Sequence, residues 1–328
     1  ALNRDILSGR PSNLDNNSPI YVASHTKAFT GTLAAQLEEE GIIHLDSSLH
    51  KYLPELTYRD SVDTQNIKIQ QLLNHTHGTF STLLTWKTAF LGYGGTDVEL
   101  IHDINNDFLV DPSHRFRYSN VGPIIASLVV DKVTRHSWKE EMASHIFKPL
   151  GMNHTRTKVS DYAFNGIRPS VTVSHNKIVE TGFYKEDITM HAAGGIISTI
   201  NDLAKWLKAN INEDDRLLTK SGWAKLHKPT TEQNRTYFTY HRTGYSLGWD
   251  IAEYEDDTLL TRFGSMAGIT FHMSFIPARN VGVIGFTSDS RDFYLSSLMA
   301  NYVYNMMFRK DYAELIFEKE KQIYKEGF

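Results

Sequence analysis

Ser24-His25-Thr26-Lys27-Ala28-Phe29-Thr30-Gly31-Thr32-Leu33-Ala34-Ala35-Gln36-Leu37 is the stretch that decides how this chain folds. Phe29, Leu33 and Leu37 repeat every four residues with Ala28, Ala34 and Ala35 beside them, and Gly41 follows as a stop. That pattern predicts an amphipathic helix from Ser24 to Glu40. In its first turn a serine and a lysine stand three residues apart, which on a helix puts hydroxyl and amine on one face. A lysine serves as base toward a serine when burial keeps it neutral, since desolvation lowers a lysine pKa by up to about 3 to 5 units. The competing reading makes Ser24 a helix N-cap and Lys27 a solvated side chain. Ser48-Leu-His-Lys51 and Ser174-His-Asn-Lys177 share the spacing. Ser174 follows the strand-like Val171-Thr-Val, where positions three apart face opposite ways, and Ser48 lies in a polar stretch before Pro54. Only Ser24 opens a strongly patterned helix, whose free N–H groups favour a developing anion.

Outward from this helix, residues 1–18 are polar and turn-rich, and the apolar run Ile20-Tyr21-Val22-Ala23 predicts an extended entry. Helical patterns follow at Ile67–Asn74, Val98–Asn105, Val121–Arg135 and Trp138–Leu150. The third is apolar nearly all round, as befits the buried helix of a helical lobe. Residues 166–190 read as irregular strands, and Asn201–Asn210 and Ser221–His227 as short helices. From Tyr245 the period becomes two, over Tyr245–Tyr254, Thr258–Phe263, Ile269–Ile276 and Val281–Thr287. The turns between them are Glu255-Asp-Asp257, Gly264-Ser-Met-Ala-Gly268 and Pro277-Ala-Arg-Asn280, which predicts an antiparallel meander. Phe293–Phe308 returns as a helix suited to cover one sheet face, so the class is α+β. Asp311 to Phe328 reads as a charged amphipathic helix, expected as a linker.

Composition removes whole classes of function. With 328 residues, 41% hydrophobic and 22% charged, the chain exceeds the size at which one core stops growing, so a large composite domain or two lobes is expected. A net charge of -4 and a pI near 6.4 give no field for a phosphate backbone, so no nucleic-acid partner is expected. The absence of cysteine excludes disulfides, thiolate zinc sites, iron–sulfur clusters and cysteine nucleophiles. No apolar run reaches the roughly 18 to 20 residues of a bilayer span, and the chain opens without a basic and apolar leader, so a soluble chain is expected, from which a leader could have been removed. His75-Thr-His77 lacks further ligands and His-Glu-x-x-His is absent, so no metal is expected. Gly92-Tyr-Gly94-Gly95 lacks the third glycine of a dinucleotide fingerprint, and there is neither a P-loop nor a Gly-x-Ser-x-Gly elbow; no cofactor is expected. Glu38-Glu39-Glu40 is a solvated helix end, and no repeat or low-complexity segment occurs.

Two further constellations can carry chemistry. Tyr118-Ser119-Asn120 lies between the polar turn Asp111-Pro-Ser-His and the buried Val121 helix, where a phenol can move protons and an amide can hold substrate; a capped helix beside a packed tyrosine is the alternative. Arg262-Phe263-Gly264-Ser265-Met266-Ala267-Gly268 leaves one strand and enters the next. A cation followed by a glycine that admits a ligand to the backbone suits a carboxylate at a strand edge, and an ordinary hairpin with a surface arginine fits equally.

In this order and setting the three motifs resemble the serine β-lactamase and penicillin-binding-protein superfamily, specifically the class C β-lactamase-like esterases and D-peptidases. Longer stretches agree: Ile69-Gln-Gln-Leu-Leu-Asn-His-Thr-His-Gly78 is similar to the family's "LLTHTSG" helix end, and Ile146-Phe-Lys-Pro-Leu-Gly-Met-Asn-His-Thr155 to its "PLGM" turn. Ala192-Ala-Gly-Gly-Ile-Ile-Ser-Thr-Ile-Asn-Asp-Leu-Ala-Lys-Trp206 resembles its "AGGLxST" segment, and Tyr245-Ser-Leu-Gly-Trp249 its "YGLGW". The resemblance runs from about residue 18 to 308. It implies a β-lactamase/transpeptidase-like catalytic domain over 1–328, an antiparallel sheet flanked by helices with a mostly helical lobe at about 46–165, an α/β lobe at about 1–45 and 166–310, and a helical tail or linker at 311–328. It implies Ser24 as acylated nucleophile, Lys27 as its base, Tyr118 as the phenol sharing the proton relay, and Asn120 as an amide that binds substrate. Arg262, Gly264 and Ser265 would line the substrate, with the N–H groups of Ser24 and Ser265 as oxyanion hole.

The sequence also departs from the family pattern. Arg262-Phe263-Gly264 stands where the family has Lys-Thr-Gly or His-x-Gly, which keeps a positive charge, adds a bulky residue and removes proton shuttling, because arginine does not deprotonate. Only twenty-three residues precede Ser24, where the family has a helix and two strands, so a bare sheet edge and a missing N-terminal segment are expected. The charged tail resembles a linker to an absent C-terminal accessory domain. The resemblance implies an extracytoplasmic location, with the cytoplasm left open. Two functions follow from it: a serine hydrolase acting through an acyl-enzyme on the ester, amide or lactam of a small molecule or peptide, or a catalytically silent penicillin-binding-like sensor on the same fold, to which Arg262 and the short N-terminus point.

Overall fold

Side-chain alternation along Ile269–Ile276 organises the molecule, because this strand lies inside a six-stranded antiparallel sheet and is buried over its whole length. Phe271, Met273 and Phe275 enter the main core with Phe29, Leu203 and Trp206, while Ile276 joins Tyr240, Tyr254, Leu259 and Tyr304 on the opposite face. From one edge the strands run Val281–Thr287, Ile269–Ile276, Asp257–Met266, Asp250–Tyr254, Tyr240–Tyr245 and Thr231–Tyr237. The computed structural model describes residues 15–162, 166–167, 170–175, 177–237, 239–289 and 293–326. The expected turn-rich start over 1–14 and the tail's last two positions, 327–328, lie outside those residues.

Helices cover both faces. Leu295–Phe308 is fixed to one by Ser274 Oγ against Tyr304 Oη at 2.9 Å and by Tyr254 Oη donating to Asn305 Oδ1 at 2.9 Å. The other face receives Ile200–Asn212 and Thr26–Glu39, whose Trp206 and Phe29 rings stack with centroids 4.0 Å apart. The second helix is not amphipathic as its spacing predicts: every residue from Thr26 to Leu37 is buried. Its polar positions are satisfied inside the protein instead. Thr30 Oγ1 donates to Ala192 O at 2.7 Å, Ile196 N donates to Thr26 Oγ1 at 3.1 Å, and Gln36 Nε2 donates to Leu217 O at 2.9 Å.

Several expected boundaries move for identifiable reasons. The single strand expected over Tyr245–Tyr254 is two strands joined by a tight connection, closed by Ser246 N donating to Trp249 O at 2.9 Å. This connection crosses the buried helix: Gly248 has φ +118, and a Cβ there would lie 2.3 Å from Lys27 O. The strand expected to end at Phe263 continues to Met266, and its turn contracts to Ala267 and Gly268, both at positive φ. Thr231–Tyr237 is a polar edge strand that lacks the apolar alternation by which strands are read. On the opposite edge, Val281–Thr287 has no outer strand neighbour among the described residues.

Around this framework the helical segments form as Ile69–Leu73, Asp97–Asn106, Val121–Thr134 and Trp138–Met142, the last passing into a π-turn at Ala143–Phe147. Within the 166–190 region, Val171–Ser174 pairs antiparallel with Lys177–Glu180. Ile20–Tyr21 pairs antiparallel with Ile197–Ser198. The tail is not a free linker: Ala313–Glu326 folds back on Leu295–Phe308, with Asn301 Nδ2 donating to Glu320 Oε1 at 2.7 Å and the Tyr302 and Phe317 rings 4.8 Å apart. Among the described residues no helix is long and apolar enough to cross a membrane.

Five histidines lie inside this core. Burial lowers His25 and His272 to about 3 and His77 to about 4, and holds His75 and His191 well below the ordinary value. Because their folded pKa lies below the unfolded value of about 6.5, the unfolded chain takes up protons first as the pH falls. Stability is therefore full above about pH 6.5 and is lost toward about pH 4, by up to about 1.4 kcal/mol per histidine per pH unit. The urea midpoint is expected to fall steadily from pH 6.5 to 4.5; a midpoint unchanged over that interval contradicts the neutral burial of these rings.

Candidate active site

The start of the buried helix is conformationally unusual. Ala23 has φ 45, in the left-handed region that costs a non-glycine residue energy, and directly precedes Ser24 in the short turn Ala23–His25. Ser24 is half-buried, and Lys27, one turn on, is only 1% exposed. Lys27 Nζ reaches three acceptors: Asn120 Oδ1 and Ala193 O at 2.7 Å each, and Ser24 Oγ at 3.2 Å. Among the described residues no carboxylate pairs with it. Desolvation, and then the Arg262 charge, hold its pKa well below the ordinary lysine value. In the neutral amine, two N–H bonds to the closer oxygens leave the lone pair to face Ser24 Oγ.

Tyr118 and Asn120 come from the turn ahead of Val121–Thr134. Ser119 Oγ accepts from Val121 N at 3.1 Å, so Ser119 does the capping and leaves the Asn120 amide to Lys27. The Tyr118 ring lies 4.8 Å from Lys27 Nζ. Its hydroxyl accepts from Arg262 Nη2 at 2.8 Å; among the described residues no hydrogen bond joins it to Ser24.

Arg262 does not stand as an open carboxylate anchor. It is 1% exposed, and four hydrogen bonds occupy its guanidinium: Nε to Ser24 O at 3.2 Å, Nη1 to Tyr245 Oη at 3.4 Å and Asp250 Oδ2 at 3.1 Å, and Nη2 to Tyr118. Burial opposes its charge, but Tyr118, Tyr245 and Asp250 outweigh burial and raise its pKa. Phe263 is not among the residues that line the cleft at Ser24; its ring lies 5.1 Å from that of Tyr237 and 4.8 Å from the Arg262 guanidinium carbon. Gly264 also has a role other than admitting a ligand. A Cβ there would lie 2.1 Å from Val22 O and 2.8 Å from Ser24 N, so its bare backbone lets the strand lie against the nucleophile's own turn. Ser265 shares with Ser24, Asn120, Ala193 and His191 the walls of a cleft of about 290 Å³.

Several participants leave no mark in the sequence. The Ala193 carbonyl is a backbone group, and Asp250 joins Arg262 only because Asp250 pairs with Thr261 across two strands. Arg242, also 1% exposed, has Nε 3.4 Å from Asp250 Oδ1, and its Nε and Nη1 lack hydrogen-bond partners among the described residues. The other two serine–lysine spacings build nothing comparable: Lys51 bonds Ser47 at the surface, and Ser174 sits across a hairpin from Lys177. No group of three metal-ligating side chains occurs among the described residues.

A family model, Beta-lactamase, matches residues 4–296. The chain belongs to the Beta-lactamase family. It is similar to Protein flp of Staphylococcus aureus strain MW2, 25% identical over 273 residues, which cover 80% of this chain and 51% of that protein. This member thus spans about half the length of the curated relatives it matches. Among solved structures it is similar to the octameric penicillin-binding protein homologue from Pyrococcus abyssi, with TM-score 0.77, 24% identity and coverage of 92% of this chain and 68% of that one. It is also similar to a D-stereospecific amidohydrolase from Streptomyces sp., with TM-score 0.70, 24% identity and 85% of each chain covered. The fold is therefore that of the Beta-lactamase family, with helices against an antiparallel sheet.

Asp250 is the acid shared by two buried guanidinium groups in this family member. Asp250→Ala is expected to cost about 3 to 5 kcal/mol, because removing one partner leaves buried charge uncompensated. A second change, Arg242→Met, removes one of the two stranded charges and should recover part of that loss. Urea unfolding of the single and double variants measures both effects, and a double variant no more stable than Asp250→Ala counts against the shared-acid account.

Proposed function

We propose that this protein is a serine acyl hydrolase that cleaves an ester, amide or lactam through an acyl-enzyme on Ser24. The observation that carries this reading is the buried Lys27 amine, which among the described residues has no acid partner and lies 3.2 Å from Ser24 Oγ. The similarity to a D-stereospecific amidohydrolase supports a hydrolytic reading of the same site.

In the first step Ser24 Oγ bonds to the substrate carbonyl carbon while its proton passes to Lys27 Nζ. The resulting oxyanion is received by the N–H groups of Ser24 and Ser265. Arg262 donates to the Tyr118 oxygen, which leaves the Tyr118 hydrogen free to be given to the departing oxygen or nitrogen; Lys27 then returns its proton to Tyr118. Water completes the cycle: it adds to the acyl carbon, gives up a proton to the same relay, and releases acid with Ser24 regenerated. Arg262 acts as a positioning residue, because a guanidinium does not deprotonate at working pH. Asn120 holds the Lys27 amine as well as facing the cleft. An extracytoplasmic location, implied by the family resemblance, belongs to this proposal.

One observation favours the catalytically silent alternative: Tyr118 bonds to Arg262 rather than to Ser24. Labelling with a fluorophosphonate and a fluorescent penicillin, read by intact mass, separates the two. An adduct that disappears in Ser24→Ala is expected, with Lys27→Met slowing acylation by about 10²- to 10⁴-fold. Because the base must be neutral and burial lowers its pKa, acylation by a chromogenic ester should rise with pH and level off below the ordinary lysine value of about 10.4. The absence of any Ser24-dependent adduct with either reagent establishes the silent binder instead.

A further inference from the structure

The cleft in front of Ser24 holds a second buried lysine that the acylation chemistry does not use. Lys185, 5% exposed, lines the same cavity as Ser24 and Ser265. Its Nζ donates to Ala89 O at 3.0 Å and Thr189 O at 2.8 Å, which occupies two of the three N–H groups of an ammonium. Among the described residues it has no acid partner, and none of those lining the cavity is an aspartate or glutamate. Ala89 belongs to the π-turn Lys87–Leu91, an irregularity common at functional sites.

An aromatic wall adjoins this cation. The Phe90 ring lies 5.4 Å from Lys185 Nζ and contacts Trp86 and Phe183, with centroids 5.5 and 5.4 Å away. Trp86 and Phe183 are each about half exposed, at 48% and 47%, and Trp86 and Phe90 both line the cavity. Behind Ser24 the buried guanidinium groups of Arg262 and Arg242 share the Asp250 carboxylate, which leaves this cluster with a net positive charge. Tyr118, the proposed donor to the leaving group, is not among the residues that line this cavity, so on the hydrolase reading above the cavity receives the acyl part of a substrate.

We propose that Lys185 is a specificity-determining residue: its third N–H receives a carboxylate on the acyl part of the substrate, and the apolar stem bearing it lies against Phe90 and Trp86. The assignment of this end as the acyl end rests on the hydrolase reading above; the binding of an anion on an aromatic stem does not. Burial and the nearby Lys139 charge lower the Lys185 pKa to about 7, so an unpaired ammonium is disfavoured there and a carboxylate relieves it. Acyl groups that carry an ammonium, as in the amide of an unblocked amino acid, meet an uncompensated cation and are disfavoured.

Isothermal titration of Ser24→Ala protein at pH 6.5 with 3-phenylpropionate, 3-phenylpropanamide and 3-phenylpropylammonium tests this without any reaction at Ser24. The carboxylate is expected to bind about tenfold or more tightly than the amide, and the ammonium most weakly, in keeping with a charge-assisted hydrogen bond. Adding Lys185→Met should bring carboxylate and amide within about twofold, chiefly by weakening the carboxylate, and Lys185→Arg should retain the preference. If carboxylate and amide bind equally, if the ammonium binds as tightly as the carboxylate, if none of the three binds, or if the preference survives Lys185→Met, the proposal is overturned. The first three outcomes need no Lys185 variant, so a variant that fails to fold leaves the test intact. A failed labelling experiment at Ser24 leaves this titration standing, and a failed titration leaves the labelling result standing.

Discussion

The guanidinium of Arg262 joins the sheet to both elements that carry the candidate chemistry. From the strand Asp257–Met266 it reaches the Ser24 carbonyl at the head of the buried helix and the Tyr118 hydroxyl ahead of Val121–Thr134, while Asp250 on the neighbouring strand supplies the opposite charge. A flat, fixed fork with five donors can span three elements in this way, where a lysine offers a flexible point charge. A guanidinium also does not give up its proton at working pH. Its consequence for the proposed mechanism is a division of labour, in which Lys27 and Tyr118 move protons and Arg262 holds their geometry.

Lys27 depends on that arrangement electrostatically. A buried ammonium without an acid partner would normally be a liability, and here burial and the Arg262 charge both favour the neutral amine that a base requires. The amine is nonetheless fully engaged, through Asn120 and the Ala193 carbonyl, so it has one orientation. The Ala192–Ile196 strap that supplies this carbonyl is itself tied to the helix by Thr26 and Thr30. Polar residues in the middle of the helix therefore serve the site; without those tertiary partners they would make the helix a poor one.

Basic side chains outnumber acidic ones in the interior of this region although the chain as a whole carries a net charge of -4. Arg242, Arg262, Lys27 and Lys185 are all buried, with Asp250 paired to the two arginines. Net charge bounds long-range association and says little about a cleft walled by low-dielectric protein. Cleft chemistry is accordingly set by a few groups, of which Lys185 and the Trp86–Phe90 wall face the cavity beside Ser24.

By itself the sequence determined the elements whose local pattern is strong: the helix Thr26–Glu39 that carries Lys27, which begins two residues after the expected Ser24 because Ser24 lies in the short turn Ala23–His25, the apolar Val121 helix, and the strands Ile269–Ile276 and Val281–Thr287, which form at the expected residues. It also determined the order of the three motifs, because motif order is a property of the chain. The tertiary structure alone decided that the first helix is buried all round, that Tyr245–Trp249 turns over it, and that Thr231–Tyr237 is a strand. It decided equally that Arg262 faces Asp250 and Tyr118 instead of the cleft, and that Lys185 stands beside Ser24. The physical reason is the same in each case: periodicity reports which face of one element is apolar, whereas the partner of a buried charge is fixed by which elements meet, through contacts between residues far apart in the chain.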